Sequence, residues 1–245
     1  MNKTAIIIPS RLNASRLPNK PLKLINNREM ILHVYDSALK SNAGEVYVAT
    51  PDKKIIDIVK KFGGNAILTS ENHNTGTDRV FEVFKKNLNS IPEIIVNLQG
   101  DMPNIQPETI NSLVNYMKKG KCEIGTMASK FVSNSELEDE NVVKVIVKEK
   151  LKTGMFVKAL DFIRHNNIQE FQAYHHIGIY AFTNYALSRY VGLKRSKLEL
   201  KRKLEQLRAM ENGMHLRVGY VNSSPLSVDT EKDFIKIKKL MEINE

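Results

Sequence analysis

Arg11, Arg16 and Lys20 share one short loop, directly after the apolar run Ala5-Ile-Ile-Ile8. Ser10, Asn13 and Ser15 lie among them, with prolines at 9, 18 and 21. The apolar run predicts a buried strand. In open α/β sheets, ligands bind in the crevice outside the carboxyl ends of such strands. Three permanent cations there suit a polyphosphate, because arginine grips phosphate oxygens with a planar two-pronged fork. The plain alternative is a basic loop facing solvent.

A second group is acidic. Val96-Asn-Leu-Gln-Gly-Asp101 ends an apolar run in Gln99, Gly100 and Asp101. An aspartate there is placed to hold Mg²⁺, which takes one or two carboxylates beside substrate phosphates and keeps several waters. A simple Gly-Asp turn is the alternative. Ser227-Val-Asp-Thr230 precedes the last predicted helix, so either Asp229 or Thr230 could be its N-cap. Nothing in the linear order brings Asp229 to Asp101.

Other segments carry polar groups in suggestive order. Thr75-Gly-Thr-Asp-Arg79 reads as a helix start capped by Thr77 or Asp78. Arg79 lies near that N-terminus, where a cation is disfavoured by the helix dipole unless it meets an anion. His175-His-Ile-Gly-Ile-Tyr180 runs into the strand expected at 177–182. Its adjacent histidines lack a third ligand for zinc, and one should face a pocket while the other points away. Glu205 and Gln206 fall in a predicted helix over 197–211, whose plain reading is an amphipathic surface helix.

The elements that must position these groups alternate. Strands are expected at 5–8, 46–49, 66–69 and 94–98, with helices near 30–41, 54–62, 79–87 and 107–118 between or after them. This order predicts a parallel sheet covered by helices. The later part predicts strands at 124–131, 142–147, 177–182 and 216–221, with helices near 185–191, 197–211 and 232–243. We expect one domain over 1–245, with a β-rich portion around 120–182.

The bulk properties mainly exclude. The chain has 245 residues and a single cysteine, Cys122, so no intrachain disulfide forms and a reduced, cytoplasmic setting is expected. No apolar stretch reaches the roughly 20 residues of a membrane span, and the N-terminus lacks the long apolar run of a signal peptide. The net charge is +10, but the lysines are dispersed and no nucleic-acid motif accompanies them, so no nucleic-acid partner is expected. Neither a Gly-x-Gly-x-x-Gly fingerprint nor a P-loop occurs.

In their order and spacing, these motifs resemble the CMP-Kdo synthetases, sugar nucleotidyltransferases that activate 3-deoxy-manno-octulosonate (Kdo). The resemblance runs from Ala5 to Asp233. It implies a three-layer αβα sandwich with a Rossmann-like mixed sheet, and a smaller β-rich portion for sugar binding and dimerisation. It implies transfer of CMP from CTP to Kdo with release of pyrophosphate, for lipopolysaccharide biosynthesis. Ser10, Arg11, Arg16, Lys20, Thr75 and Gly76 would bind CTP. Asp101 and Asp229 would hold Mg²⁺, and Arg11 and Lys20 would join them as catalytic residues. Arg79, Gln99, Lys158, His176, Tyr180, Glu205 and Gln206 would form the sugar side. A homodimer is also implied.

The chain departs from the family pattern at several places. Met102 replaces a glutamate, a proline precedes Asp52, Thr75 replaces a serine, and Lys158 stands where an arginine is expected. A lysine keeps the charge but loses the two-pronged geometry. The last change motivates one alternative, an 8-amino-Kdo or another ulosonic acid as substrate; a silent nucleotide-binding relative, which loss of the metal aspartates would favour, is the other.

Overall fold

The computed structural model describes residues 3–13, 16–86, 88, 91–120, 122–165 and 171–243. Ser15, Asn87 and residues 166–170 therefore lie outside the described residues. The chain forms two compact units, Met1–Asn111 with Pro225–Glu245, and Ser112–Ser224. The expected 120–182 portion falls inside the second.

The first unit begins with β1 (Thr4–Pro9), the short hairpin β2 (Leu24–Ile25) and β3 (Arg28–Glu29), and α1 (Met30–Lys40). It continues through β4 (Glu45–Thr50), α2 (Lys53–Lys61), β5 (Ala66–Leu68), α3 (Gly76–Lys86) and β6 (Ile94–Leu98) to the start of α4 (Pro107–Lys118). The sheet order is β5-β4-β1-β6, and every pairing is parallel. Ile6, Ile7 and Ile8 are fully buried. A parallel strand covered on both faces reads as a continuous apolar run, which is why the alternation test would miss it. Asn26 and Asn27 both have positive φ (48° and 57°), the backbone of a tight primed turn between β2 and β3.

The second unit holds β7 (Ile124–Ser129), α5 (Asn134–Glu138), β8 (Lys144–Val147), β9 (Phe156–Ile163) and β10 (Gln172–Thr183). Then come α6 (Asn184–Val191), α7 (Lys197–Arg202), α8 (Leu207–Glu211) and β11 (Leu216–Tyr220). Its pairings run β10-β7-β11-β9-β8, and β8 also pairs with the first residues of β10. The pairings form a cycle, parallel between β7 and β11 and antiparallel elsewhere. Finally α9 (Glu231–Ile243) returns to the first unit. Its Phe234 and Ile237 pack with Val228, Leu17, Ile25 and Met30.

The α/β class is as expected, and α4 spans the expected 107–118. Three local readings need correction. β9 was not expected, because its sequence lacks a continuous apolar run. β10 begins at Gln172, five residues earlier than read, where polar side chains mask the strand. The helix expected over 197–211 is two short helices, broken where Lys203 adopts the left-handed conformation (φ 53°). The break takes Glu205 and Gln206 out of a regular helix face.

Candidate active site

In the first unit, a cavity of about 310 Å³ lies beyond the carboxyl ends of β1 and β6. Ser10, Arg11, Arg16, Lys20, Thr75, Gly76, Arg79, Gln99, Asp101 and Asp229 all line it. Arg79 and Gln99, expected on the sugar side, thus share one cavity with the expected CTP residues.

The two aspartates are brought together by the backbone. The Val228 N–H donates to the Asp101 carbonyl at 2.9 Å, and the buried Val228 side chain anchors that crossing in the core. The helix cap is resolved as well. Thr230 caps α9: its hydroxyl accepts from the Asp233 N–H at 3.2 Å, and the Asp233 carboxylate accepts from the Thr230 N–H at 2.9 Å. The Asp229 carboxylate is left to the cavity, 3.1 Å from Arg16 and 3.5 Å from Lys20. The Lys20 ammonium is also 3.1 Å from Asp101 and donates to the Val228 carbonyl at 2.7 Å.

The other side of the cavity is built around α3. Its cap is Thr75, neither Thr77 nor Asp78. The Thr75 hydroxyl accepts from the Asp78 N–H at 3.2 Å, and the Asp78 carboxylate accepts from the Thr75 N–H at 3.0 Å. Thr77 instead accepts from Asn97, which accepts from Gln99. Arg79 is buried and donates to the Thr69 hydroxyl and the Ser70 carbonyl, both neutral. Burial, then the nearby Arg11 cation, pushes its pKa down from the usual arginine value. A buried guanidinium with neutral partners beside a second cation is arranged to receive an anion. The Ser10 hydroxyl is buried at the same cavity and has no hydrogen-bond partner among the described residues.

Two cavity supports were not singled out from the sequence. Asp52 accepts from the Leu12 N–H at 2.8 Å and so pins the basic loop. His73 lines the cavity, and its Nε2 lies 2.5 Å from Glu82. Burial would raise the Glu82 carboxyl, but bonds from His73, the Ser70 N–H and Lys86 outweigh it and hold the pKa at about 2. Asp52 lies two residues past the β4 end and directly precedes α2, a position that could have flagged it.

The second unit gathers its own polar cluster. His176 Nε2 lies 2.9 Å from the Thr126 hydroxyl, which donates to the Ile179 carbonyl at 2.7 Å. The hydroxyl has one proton, so His176 carries its own on Nε2. Burial, then the nearby His175, pushes the His176 pKa down to about 3, so the ring is neutral at neutral pH. The Tyr180 ring lies 5.4 Å from that of His176. Burial and the Glu205 charge raise its phenol well above the usual value. His175 turns instead to Glu136 at 2.6 Å, so the two histidines diverge as expected. Tyr190 donates to the Glu205 carbonyl at 2.9 Å, and Gln206 is buried beside Leu207.

Lys158 does not join this cluster. It pairs with Arg217, which pairs with Gly125. A Cβ on Gly125 would touch Leu113 and Met117 of α4. Thr126 and His176 occupy the other face, since neighbouring residues on a strand point to opposite sides. Lys158 is therefore exposed on the α4 face.

A cytidylyltransferase family model matches residues 5–216. The 3-deoxy-manno-octulosonate cytidylyltransferase of Brucella canis is 42% identical over 234 residues, covering 94% of this chain and 92% of that one. The protein of the same name from Rhodospirillum centenum is 41% identical over 239 residues, covering 97% and 93%. A CMP:2-keto-3-deoxy-manno-octonic acid synthetase solved in complex with CTP superposes with a TM-score of 0.89 at 36% identity, covering 99% of this chain and all of that one.

The chain belongs to the cytidylyltransferase family.

For a cytidylyltransferase the first-unit cavity has the right chemistry: cations, a buried hydroxyl and two convergent carboxylates. Among the described residues no group of three or more His, Cys, Asp and Glu side chains converges. Two carboxylates with a carbonyl nevertheless match what magnesium takes beside phosphates, since it prefers oxygen and retains water. The Lys20 ammonium already sits where Asp101, Asp229 and Val228 direct their oxygens. Burial pushes the Cys122 thiol up to about 11, which disfavours the thiolate, and its Sγ lies 3.3 Å from Met117 Sδ. No helix among the described residues is long and apolar enough to cross a membrane.

Proposed function

We propose that this cytidylyltransferase transfers CMP from CTP to the anomeric hydroxyl of Kdo. The sugar hydroxyl gives up its proton to solvent as its oxygen forms a bond to the α-phosphorus, the bond from that phosphorus to the β-phosphate bridging oxygen breaks, and pyrophosphate leaves. The observation carrying this reading is the convergence of Arg11, Arg16 and Lys20 with Asp101 and Asp229 in one cavity, in a chain 42% identical to proteins named for this activity.

Arg11 and Arg16 would grip phosphate oxygens, and Lys20 would add a point charge to the leaving pyrophosphate. Arg79 and the Ser10 hydroxyl would supply further donors. Fixed cations around spreading negative charge accelerate phosphoryl transfer by positioning and electrostatics, with no covalent enzyme intermediate. Asp101 and Asp229 would hold Mg²⁺, which when bound polarises the α-phosphate and lowers the pKa of the attacking hydroxyl. His176, Tyr180, Glu205 and Gln206 would contact the sugar, with neutral His176 and protonated Tyr180 serving as hydrogen-bond partners. Kdo is preferred to an amino analogue because Lys158, the change that suggested the analogue, faces away from His176. Intact Asp101 and Asp229 argue against a silent relative. The proposed setting is the cytoplasm and the proposed assembly a homodimer, for which exposed Val132 and Phe171 offer apolar surface.

The test is pyrophosphate release with Mg²⁺, each of four nucleoside triphosphates, and Kdo or 8-amino-Kdo. Release with CTP and Kdo, abolished by Asp101→Ala, is the expected result. Release only with the amino sugar would move the substrate within the class. Folded protein that binds CTP but releases nothing with either sugar would overturn the reading.

A further inference from the structure

We propose that Lys20 is the resident counter-ion of the metal site, so that a divalent cation enters only when nucleotide phosphates draw the lysine away. The inference rests on the magnesium reading above and assigns Lys20 a role before catalysis begins. Its ammonium has three N–H groups and three oxygens around it: Val228 O at 2.7 Å, Asp101 Oδ2 at 3.1 Å and Asp229 Oδ1 at 3.5 Å. Two carboxylates and a carbonyl aimed at one point form a hard-oxygen set, the kind a divalent cation takes. An ammonium and a metal ion cannot share that point.

The arrangement has a reason in each state. Without nucleotide, two carboxylates aimed at one place would repel, and Lys20 between them offsets that repulsion, with Arg16 on the outer side of Asp229. The side chain is only 15% exposed, whereas Arg16, the other cation on Asp229, is 59% exposed. Lys20 is therefore the internal partner and Arg16 the peripheral one. The Lys20 backbone opens a short turn, Lys20–Leu22, next to buried Pro21, so its Cα is held while four methylenes remain free to swing. A triphosphate beside Arg11 and Arg16 offers the ammonium a new anionic partner and frees the oxygen set. Metal and nucleotide would then raise each other's affinity by the same factor.

The test is Mn²⁺ binding to nucleotide-free protein, read by electron paramagnetic resonance of the free ion. Lys20→Met should bind one Mn²⁺ about tenfold tighter than the unaltered protein or more, within the usual range of coupling between sites. Lys20→Arg, which keeps the charge, should stay weak. Adding Asp101→Asn to Lys20→Met should abolish the gain. Circular dichroism would establish folding, and Mn²⁺ should raise the melting temperature of Lys20→Met more than that of the unaltered protein. Equal Mn²⁺ affinity in Lys20→Met and the unaltered protein would overturn the inference, as would a gain that survives Asp101→Asn. The metal reading is checked separately by the Mn²⁺ spectrum of the protein–CTP complex. If Asp101→Asn removes the protein-dependent change there while Lys20→Met shows no gain, only the counter-ion role falls. If Asp101→Asn leaves that spectrum unaltered, the metal site itself falls and the inference with it.

Discussion

Replacing Arg208 by methionine would expose what holds Glu205 and Gln206 in place. Arg208 is 2% exposed, and its guanidinium contacts Glu199 with two prongs, Nε to Oε2 at 2.9 Å and Nη2 to Oε1 at 2.7 Å. It also lies 4.7 Å from the centre of the Tyr190 ring, and Tyr190 donates to the Glu205 carbonyl. Glu199 is 1% exposed. Burial would raise its carboxyl, but the bonds from Arg208, Arg195 and the Ser196 N–H lower it below the usual value. Methionine fills much of the arginine stem's volume and leaves that carboxylate without its main partner. Removing one member of a buried pair costs about 3–5 kcal/mol. Arg195 and the Ser196 N–H still hold Glu199, so the loss should fall near the lower end, about 3 kcal/mol. For a protein of this size that corresponds to a melting-temperature drop of roughly 6–12 °C. Glu199→Leu with Arg208→Met removes both charges and should recover most of the loss. Urea unfolding followed by circular dichroism measures both, and steady-state kinetics should show the KM for Kdo rising more than that for CTP. A loss under about 1 kcal/mol, or a double variant less stable than the single, would refute the reasoning.

Ser10→Ala should leave stability within about 0.5 kcal/mol, because the hydroxyl has no partner to lose among the described residues. The KM for CTP should rise nonetheless, and an unchanged KM would remove Ser10 from the nucleotide site. Lys158→Ala should change the KM for Kdo by less than about twofold, the scale of an ordinary surface substitution, since the side chain faces α4; a large rise in steady-state assays would contradict that placement. Glu82→Gln probes pH dependence. The folded carboxyl titrates at about 2, below its ordinary value of 4.5, so its stabilisation is full above pH 4.5 and is lost as pH falls towards 2. Urea midpoints should differ more between Glu82→Gln and the unaltered protein at pH 5 than at pH 3, and a gap that widens on acidification would show the sign to be wrong.

Several features were legible in the linear chain because they are local. The run before Pro9 had to be buried, whatever covered it, because nothing polar interrupts it. The charged loop after it and Asp101 after β6 then follow from where parallel strands end. Capping could be read only as a choice between neighbours: Thr230 wins over Asp229, while at α3 Thr75 displaces both expected caps, in each case because a carboxylate three residues on, Asp233 or Asp78, closes the reciprocal bond. Those choices turn on side-chain geometry that spacing alone leaves open.

The sequence by itself determined the α/β class, the basic loop, both aspartates and the order of the motifs, because short-range periodicity and residue chemistry express them directly. Tertiary structure alone decided what those residues meet. The bond from Val228 to Asp101 carries Asp229 across 128 positions of chain (229 − 101) to the other carboxylate. The pairing of β9 with β11 turns Lys158 away from His176, and a left-handed Lys203 breaks the helix before Glu205. Asp52 and Glu82 matter only through the loops they tether. Apart from the local break at Lys203, each is a pairing between separate elements or a face assignment, and a one-residue shift in register would reverse every face.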